Sequence, residues 1–595
     1  MNLKRIIAVF LAVAMLTAVF AACGSKDSSG AQGSSSKPDD AASTSAGTSS
    51  VSSPEETEST SYAKNGVGDT AYGPGEFKKY DEKITLTYGR VLDANSDGYL
   101  KMEEAGEPYT DNRWTRYFEE ELNIGTEYTM ITPNGVDYNQ KLLLAMTSGT
   151  LPDVFLVNDL SVLKQLAESG AIADLTTLYK ENVNTTLRDI IEYEGTDIYN
   201  PVTYDGKMMA IPVKMPSTNG YNHCWVRQDW LDDLGLERPK TMDDVHDIAK
   251  AFVENKENNI GLMLSEEYIS ESKGIFWAFG GTTAVRKYWQ KMEDGTTAFS
   301  EVQPEMKGGL GWLRDMYSEG LVNQEFATQD IAKAFEYVAN NQCGIFFGPH
   351  WYGFRLQSAE SSMDSSANWV AVGLPTGTGE EVKVYATNTF DGVYCVNANC
   401  ENPEAMIHVL NAYAEKLFGE ENDFENFFAC PENSGCWDAS PIHVLHPLVD
   451  LMPHQAMYEA LPENAPENLV NHKRDYWNDI DADMGPLEGS GKNYWDYIKN
   501  GLTAYQYMFG PIDSCFAFVN KTYPDIVEWN AYYGAPTATW ADRWSSMQEL
   551  IDTTYLKIIQ GQLELDAGFD QMVEEWNNIG GTDVTKEVNE IYSTY

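Results

Sequence analysis

The most chemically specific spacing in the chain is Asp93-Ala-Asn95-Ser-Asp97-Gly98, followed by Glu104. Oxygen donors at alternate positions, a glycine for a sharp turn and a closing glutamate are what a calcium loop requires. Asp93, Asn95 and Asp97 would bind through side-chain oxygens, Tyr99 through its carbonyl and Glu104 as a bidentate carboxylate. The expected ion, Ca2+, is structural, and no other cofactor is expected. The same residues also suit an ordinary Asn/Asp/Gly-rich surface turn, because a strand ends near Val91 and Pro108 follows. Reaction chemistry is not marked. There is no Gly-x-Ser-x-Gly elbow, His-Glu-x-x-His helix or phosphate loop, and the 8 histidines are scattered. A glycosidase needs two carboxylates roughly 5–9.5 Å apart; 90 acidic residues could hide such a pair, but nothing singles one out. A non-enzymatic protein is expected.

Cys23 carries a second kind of chemistry. Lys4 and Arg5 precede an apolar run, Ile6 to Phe20, which ends in Phe20-Ala21-Ala22-Cys23. This is the layout of a secretory signal (1–22), and it resembles a bacterial lipobox with Phe20 where Leu is usual. The apolar run is short for a spanning helix, which needs about 20 residues. Acyl chains on Cys23 would hold the chain on the extracellular face of the cell membrane, and residues 23–80 read as a Ser/Gly-rich tether. The net charge of −49, falling to −51 once Lys4 and Arg5 are removed, argues against nucleic acid as a partner. Seven cysteines remain beyond Cys23, with Cys430/Cys436 or Cys395/Cys400 spaced for local bridges.

The elements that would position a site alternate strand and helix. Ile84–Val91 reads as a strand, Asp111 as the cap of a helix carrying Trp114, Phe118 and Leu122, and Thr126–Thr132 as a second strand. A helix from about Tyr138, a buried strand Pro152–Val157 and a helix stripe Leu160, Leu163, Leu166 and Ala167, closed at Gly170, follow. Three β-α units predict an α/β fold with a doubly wound parallel sheet and ligands at the strand C-termini. A second series includes a helix capped by Thr241 and Asp244, a helix Ile331–Ala339 and a buried strand Cys343–Gly348. So long a chain must divide into at least two lobes, since single cores stop growing near 250–300 residues.

The ordered set Asp205-Gly-Lys207 with Ile211-Pro212, Trp225-Val-Arg-Gln-Asp-Trp230 through Leu236, Gly344-Ile-Phe-Phe-Gly-Pro-His-Trp351, Tyr533-Gly-Ala-Pro-Thr537 and Phe569 through Trp576 resembles the carbohydrate-type extracellular solute-binding lipoproteins of bacterial ABC importers. The resemblance runs from about residue 84 to the end. It implies a two-lobed, type II periplasmic-binding-protein-like fold with hinge crossovers, lobe one comprising 81–217 with 390–530 and lobe two 218–389 with 531–595. It also implies a monomer that captures a carbohydrate for ABC permease subunits; a peptide cargo or a sensor role stays open.

A sugar presents apolar C–H faces and a hydroxyl rim, so its site needs aromatic plates and directed polar groups. By position, Asn158 and Asp159 follow a buried strand, although Asp159 could instead cap the next helix. Trp225 and Arg227 flank the first crossover, where interlobe packing and an Arg227–Asp229 ion pair are equally compatible. Trp351 and Tyr352 follow a strand end. Trp277, Phe390 with Asp391, and Tyr532 or Tyr533 complete the expected set. Arg90, Arg227 or Lys214 could make the cleft locally positive.

Overall fold

The computed structural model describes residues 70–593 apart from 71, 93, 95–96, 257–259, 284–287, 360–366, 387–389, 430–435 and 463–483. The expected leader and Cys23 lie outside that range. Thr60–Tyr595 forms one compact unit, and its first folded piece begins earlier than the tether reading placed it. Tyr72 bridges to Asn184, and Phe77 and Tyr80 pack onto the first core.

Nine strands build two sheets: β1 Ile84–Val91, β2 Ile124–Thr132, β3 Val154–Val157, β4 Ile211–Lys214, β5 His223–Arg227, β6 Ile260–Met263, β7 Cys343–Gly348, β8 Trp369–Val372 and β9 Phe390–Val396. The first sheet runs β2-β1-β3-β9-β4. Its β2, β1 and β3 are parallel, as the β-α alternation predicts, whereas β9 runs antiparallel to both β3 and β4. The second runs β8-β5-β7-β6 and is also mixed, because β5 opposes both β7 and β8. The antiparallel strands are those next to crossovers, which return the chain without a covering helix.

Side-chain alternation along each strand divides every sheet between two cores. In β9, Tyr394 and Val396 face one cluster, with Trp114, Phe118 and the buried helix Ala405–Phe418. Val393 and Cys395 face the other, with Tyr138, Leu142 and Leu163. In the second sheet, Cys224, Val226, Ile345 and Phe347 join a core built on Ala538–Ile559 and Leu565–Trp576. Trp225, Phe346 and Trp369 join one covered by Leu451–Glu459, Gly489–Lys499, Thr503–Phe509 and Cys515–Thr522. Those last four helices, expected in the first lobe, bury their apolar faces on the second sheet. The returning part of the first core is complete by Val449.

Among the described residues the chain passes between sheets at 214–223 and 447–451, and it leaves the second sheet's side at Ala386 and enters the first sheet at Phe390. Backbone hydrogen bonds tie these passages together. Leu445 N–H donates to Lys214 O at 2.9 Å, Ser217 N–H to Pro447 O at 2.9 Å, and Asn530 N–H to Ala386 O at 2.9 Å. Cys436 is disulfide-bonded, whereas Cys395 and Cys400 are free; Cys430 lies outside the described residues.

Candidate functional site

Several expected binding residues are interior. Trp225 is wholly buried, stacked 5.6 Å from Phe346 and donating its Nε1–H to Gly348 O at 3.3 Å. The helical layer from far downstream closes over its face of β5, so it has no surface to offer a solute. Arg227 is 1% exposed and grips Asp229 bidentately, Nε–Oδ1 2.7 Å and Nη2–Oδ2 2.6 Å, with Nη1 donating to Asn341 at 2.9 Å. Its guanidinium also lies 4.5 Å from the Trp230 ring centre. Tyr352 is buried against Phe335 and donates its hydroxyl to Glu271 at 2.5 Å. Tyr532 is buried beside Trp289 and Trp540 and donates to Ala535 O at 2.5 Å. These four side chains, expected to meet solute, are thus interior in this structure, Arg227 held by its near neighbour Asp229 and Trp225, Tyr352 and Tyr532 packed against aromatic residues of other elements.

Others sit at the surface. Asn158 is exposed at the end of β3, beside Gly392 at the start of β9. Asp159 caps Leu160–Glu168, accepting from Ser161 N–H at 2.8 Å and Ser161 Oγ–H at 2.6 Å, and it stays half-buried at the strand end. Phe390 and Asp391 open β9; their side chains lie outside the described set. Trp351 is 40% exposed with its ring edge-on to His350.

The crossovers assemble a further group, of which only Trp277 was expected. Tyr385 lies in Val384–Ala386, the strand leading into the second passage, half-buried with its ring edge-on to Trp277 at 6.1 Å and Tyr288 at 5.7 Å. Burial pushes the Tyr385 hydroxyl up to about 12, assisted by the charges of Glu528 and Glu305. Trp277 is buried below it, its Nε1–H donating to Thr283 O.

A polar bridge joins the two sheets' sides. Tyr533, half-buried, meets Asn200 at 3.4 Å and hydrogen-bonds Asp197, both on the 3-10 segment Thr196–Val202 of the first lobe. Burial raises the Asp197 carboxyl pKa, opposed by the charge of Lys291 and the Tyr533 hydroxyl. Tyr523 adds a second bridge, donating to Glu194 at 3.2 Å. No local spacing in Asp197-Ile-Tyr-Asn200 or Val384-Tyr385-Ala386 distinguishes these residues from any loop or short strand. Only the crossings identify them.

The three basic residues expected to make the cleft positive are each neutralised. Arg90 pairs with Asp438 at 2.9 Å and donates to the carbonyls of Asp438 and Ser440, Lys214 pairs with Glu194, and Arg227 with Asp229. The calcium reading changes in one respect. From Asp97 the chain is helical through Glu104, with the Tyr99 ring stacked 5.3 Å from Tyr109 and its hydroxyl engaging Glu103. A helix holds positions 97 and 104 roughly 10 Å apart along its axis, whereas calcium ligands converge to about 2.3–2.6 Å, so this conformation does not fit the ion. Asp93 and Asn95 lie outside the described residues.

Residues 95–420 match the family model of the bacterial extracellular solute-binding proteins. The chain belongs to that family. This solute-binding protein is 21% identical over 460 residues to the polygalacturonan/rhamnogalacturonan-binding protein YtcQ of Bacillus subtilis (strain 168), an alignment spanning 76% of this chain and 82% of the relative. It is 21% identical over 476 residues to Lipoprotein LipO of the same organism, spanning 77% and 84%. Among solved structures, an HMO-binding, ABC-transporter-associated solute-binding protein from Bifidobacterium longum infantis gives a TM-score of 0.56 at 14% identity, covering 86% of this chain and 99% of its own. The alginate-binding protein AlgQ2, solved without calcium ion, gives 0.55 at 14% identity with the same coverage. The solute-binding protein therefore has the two-lobed, type II periplasmic-binding-protein-like fold that the resemblance implied. Among the described residues no helix is long and apolar enough to cross a membrane.

Proposed function

We propose that this extracellular solute-binding protein captures an oligosaccharide between its lobes and delivers it to an ABC-importer permease. The observation that carries the sugar assignment is the aromatic group at the second crossover, with half-buried Tyr385 edge-on to buried Trp277 and Tyr288. A rigid ring held by its neighbours stacks on a pyranose face at little entropic cost. Asn158 and Asp159 at the β3 end and Asp197 and Asn200 elsewhere in the first lobe, with Tyr533 reaching them from the second, supply polar partners for hydroxyls. The relatives named for polygalacturonan and alginate support the same reading. Binding energy comes from closure, because the solute meets both sets only when the lobes approach.

We also propose that acylated Cys23 anchors the chain outside the membrane, as LipO's description as a lipoprotein supports. Calcium at 93–104 is retained as a proposal that requires the first turn of the 97–104 helix to unwind. Calorimetry against glycan and peptide panels tests the main assignment. A glycan should bind, and Tyr385→Ala should weaken it about tenfold, or about 1.4 kcal/mol. Binding of peptides alone would replace the sugar with the alternative cargo. Labelled palmitate should enter the full chain and not its Cys23→Ser variant; no incorporation would remove the anchor.

A further inference from the structure

Lys273 stands apart from the paired basic residues. It is 7% exposed, and its ammonium lies 5.4 Å from the centre of the Trp277 ring. Among the described residues no hydrogen bond or ion pair holds that ammonium. The nearest opposing charge, Glu271, already accepts the Tyr352 hydroxyl at 2.5 Å. Burial pushes the Lys273 amine down to about 8, against the pull of Glu271. Desolvating an ammonium costs several kcal/mol unless a close counter-charge offsets it, and contact with an indole face offsets only about 0.5–2 kcal/mol.

The position of Lys273 is as informative as its burial. It precedes the short helix Gly274–Ala278, whose first N–H donates to Asn222 Oδ1 at 3.1 Å beside the first crossover. Asn222 Nδ2 in turn donates to Glu271 O at 2.8 Å, and Ser272 Oγ–H reaches Phe347 O near the end of β7 at 3.5 Å. The Trp277 ring beneath the ammonium is the one that meets Tyr385. Lys273 thus lies against the Trp277 ring that meets Tyr385, beside the C-terminal end of β7, and such strand ends are where open α/β sheets bind ligands. A chain of net charge −49 repels anions at long range. Recognising one therefore needs a local cation in a low-dielectric pocket, and Arg90, Lys214 and Arg227 are already paired.

We propose that Lys273 is the anion-recognising residue of the cleft and that the captured oligosaccharide carries a carboxylate, as a uronic-acid unit does. This rests on the carbohydrate reading above. The solute's carboxylate supplies the close counter-charge that Lys273 lacks among the described residues, while the neighbouring rings take the apolar sugar face.

The test is calorimetry on the full chain with two acid/neutral pairs, trigalacturonate against galactotriose and trimannuronate against mannotriose, for wild type, Lys273→Met and Lys273→Arg. Wild type should bind at least one acid about tenfold or more tighter than its neutral counterpart. Lys273→Met should abolish that preference while melting at the same temperature as wild type or higher, because it removes a desolvated charge. Lys273→Arg should keep most of it. Neutral trimers binding as tightly as the acids, or a preference that survives in Lys273→Met, would overturn the inference and leave the carbohydrate reading standing. If no sugar binds while peptides do, both fall together.

Discussion

Removing the Arg227 guanidinium leaves the Asp229 carboxylate largely buried with, among the described residues, only the Asn368 N–H, at 3.1 Å, to hold it. An orphaned buried charge of this kind costs about 3–5 kcal/mol. Arg227→Ala should lower the urea midpoint by an amount corresponding to about 3 kcal/mol, with solute affinity of the folded fraction unchanged. Lost affinity at unchanged stability would instead make Arg227 a cleft residue, contrary to its 1% exposure. The contrast with Lys273 is instructive. Both are buried cations beside tryptophan, but among the described residues one is paired with a carboxylate and the other is not.

Among elements, the helix Asp97–Glu104 is the one whose conformation and proposed role conflict. It has eight residues, too few to be stable by itself in water, so unwinding a turn to wrap an ion is affordable. Calcium added to EGTA-treated protein should release heat and raise the melting temperature. At a hundredfold excess over Kd the stabilisation should reach about 2.7 kcal/mol. No heat and no shift would remove the metal and leave the 97–104 helix as it stands. At the same scale, the four helices between Leu451 and Thr522 decide the site indirectly. By covering one face of the second sheet they turn Trp225 and Tyr352 into core.

For the whole molecule, burial lowers the pKa of six histidines: His223 and His350 to about 3, and His408, His443, His446 and His454 to about 4. In the unfolded chain they titrate near 6.5. Between those values the unfolded state binds more protons than the folded one, so stability is full above about pH 6.5 and falls as pH drops toward 4. Two acidic contributions work the other way: Asp450, whose carboxyl burial pushes up to about 7, offsets about one histidine in this window, and protonating surface carboxylates relieves repulsion mainly below about pH 4.5. The melting temperature should therefore decline between pH 7 and 5, with net proton uptake on unfolding at pH 5.5. A flat profile would show that folding leaves the pKa values of these histidines near their unfolded values.

Elements were legible from local pattern because local forces set them. Ile84–Val91 and Cys343–Gly348 begin and end where alternation and apolar runs predict, and the Thr241–Asp244 capping box forms as read. Where the cap is a contest between neighbours, the prediction slipped by one residue, Asn112 taking the place of Asp111. The family and its two-lobed architecture were also present in the order of motifs. What required the tertiary structure was which face of each strand end would be covered. Trp225 and Tyr385 both flank crossovers and both are aromatic, yet one is interior and the other half-buried beside the gap. The difference lies in helices that arrive far later in the chain, and no spacing around either residue encodes them. The same holds for charge. The amino-acid sequence shows that Lys214, Arg227 and Lys273 are basic, but only the packed molecule shows which carboxylates reach them, because desolvation and partner distance are properties of the assembled core.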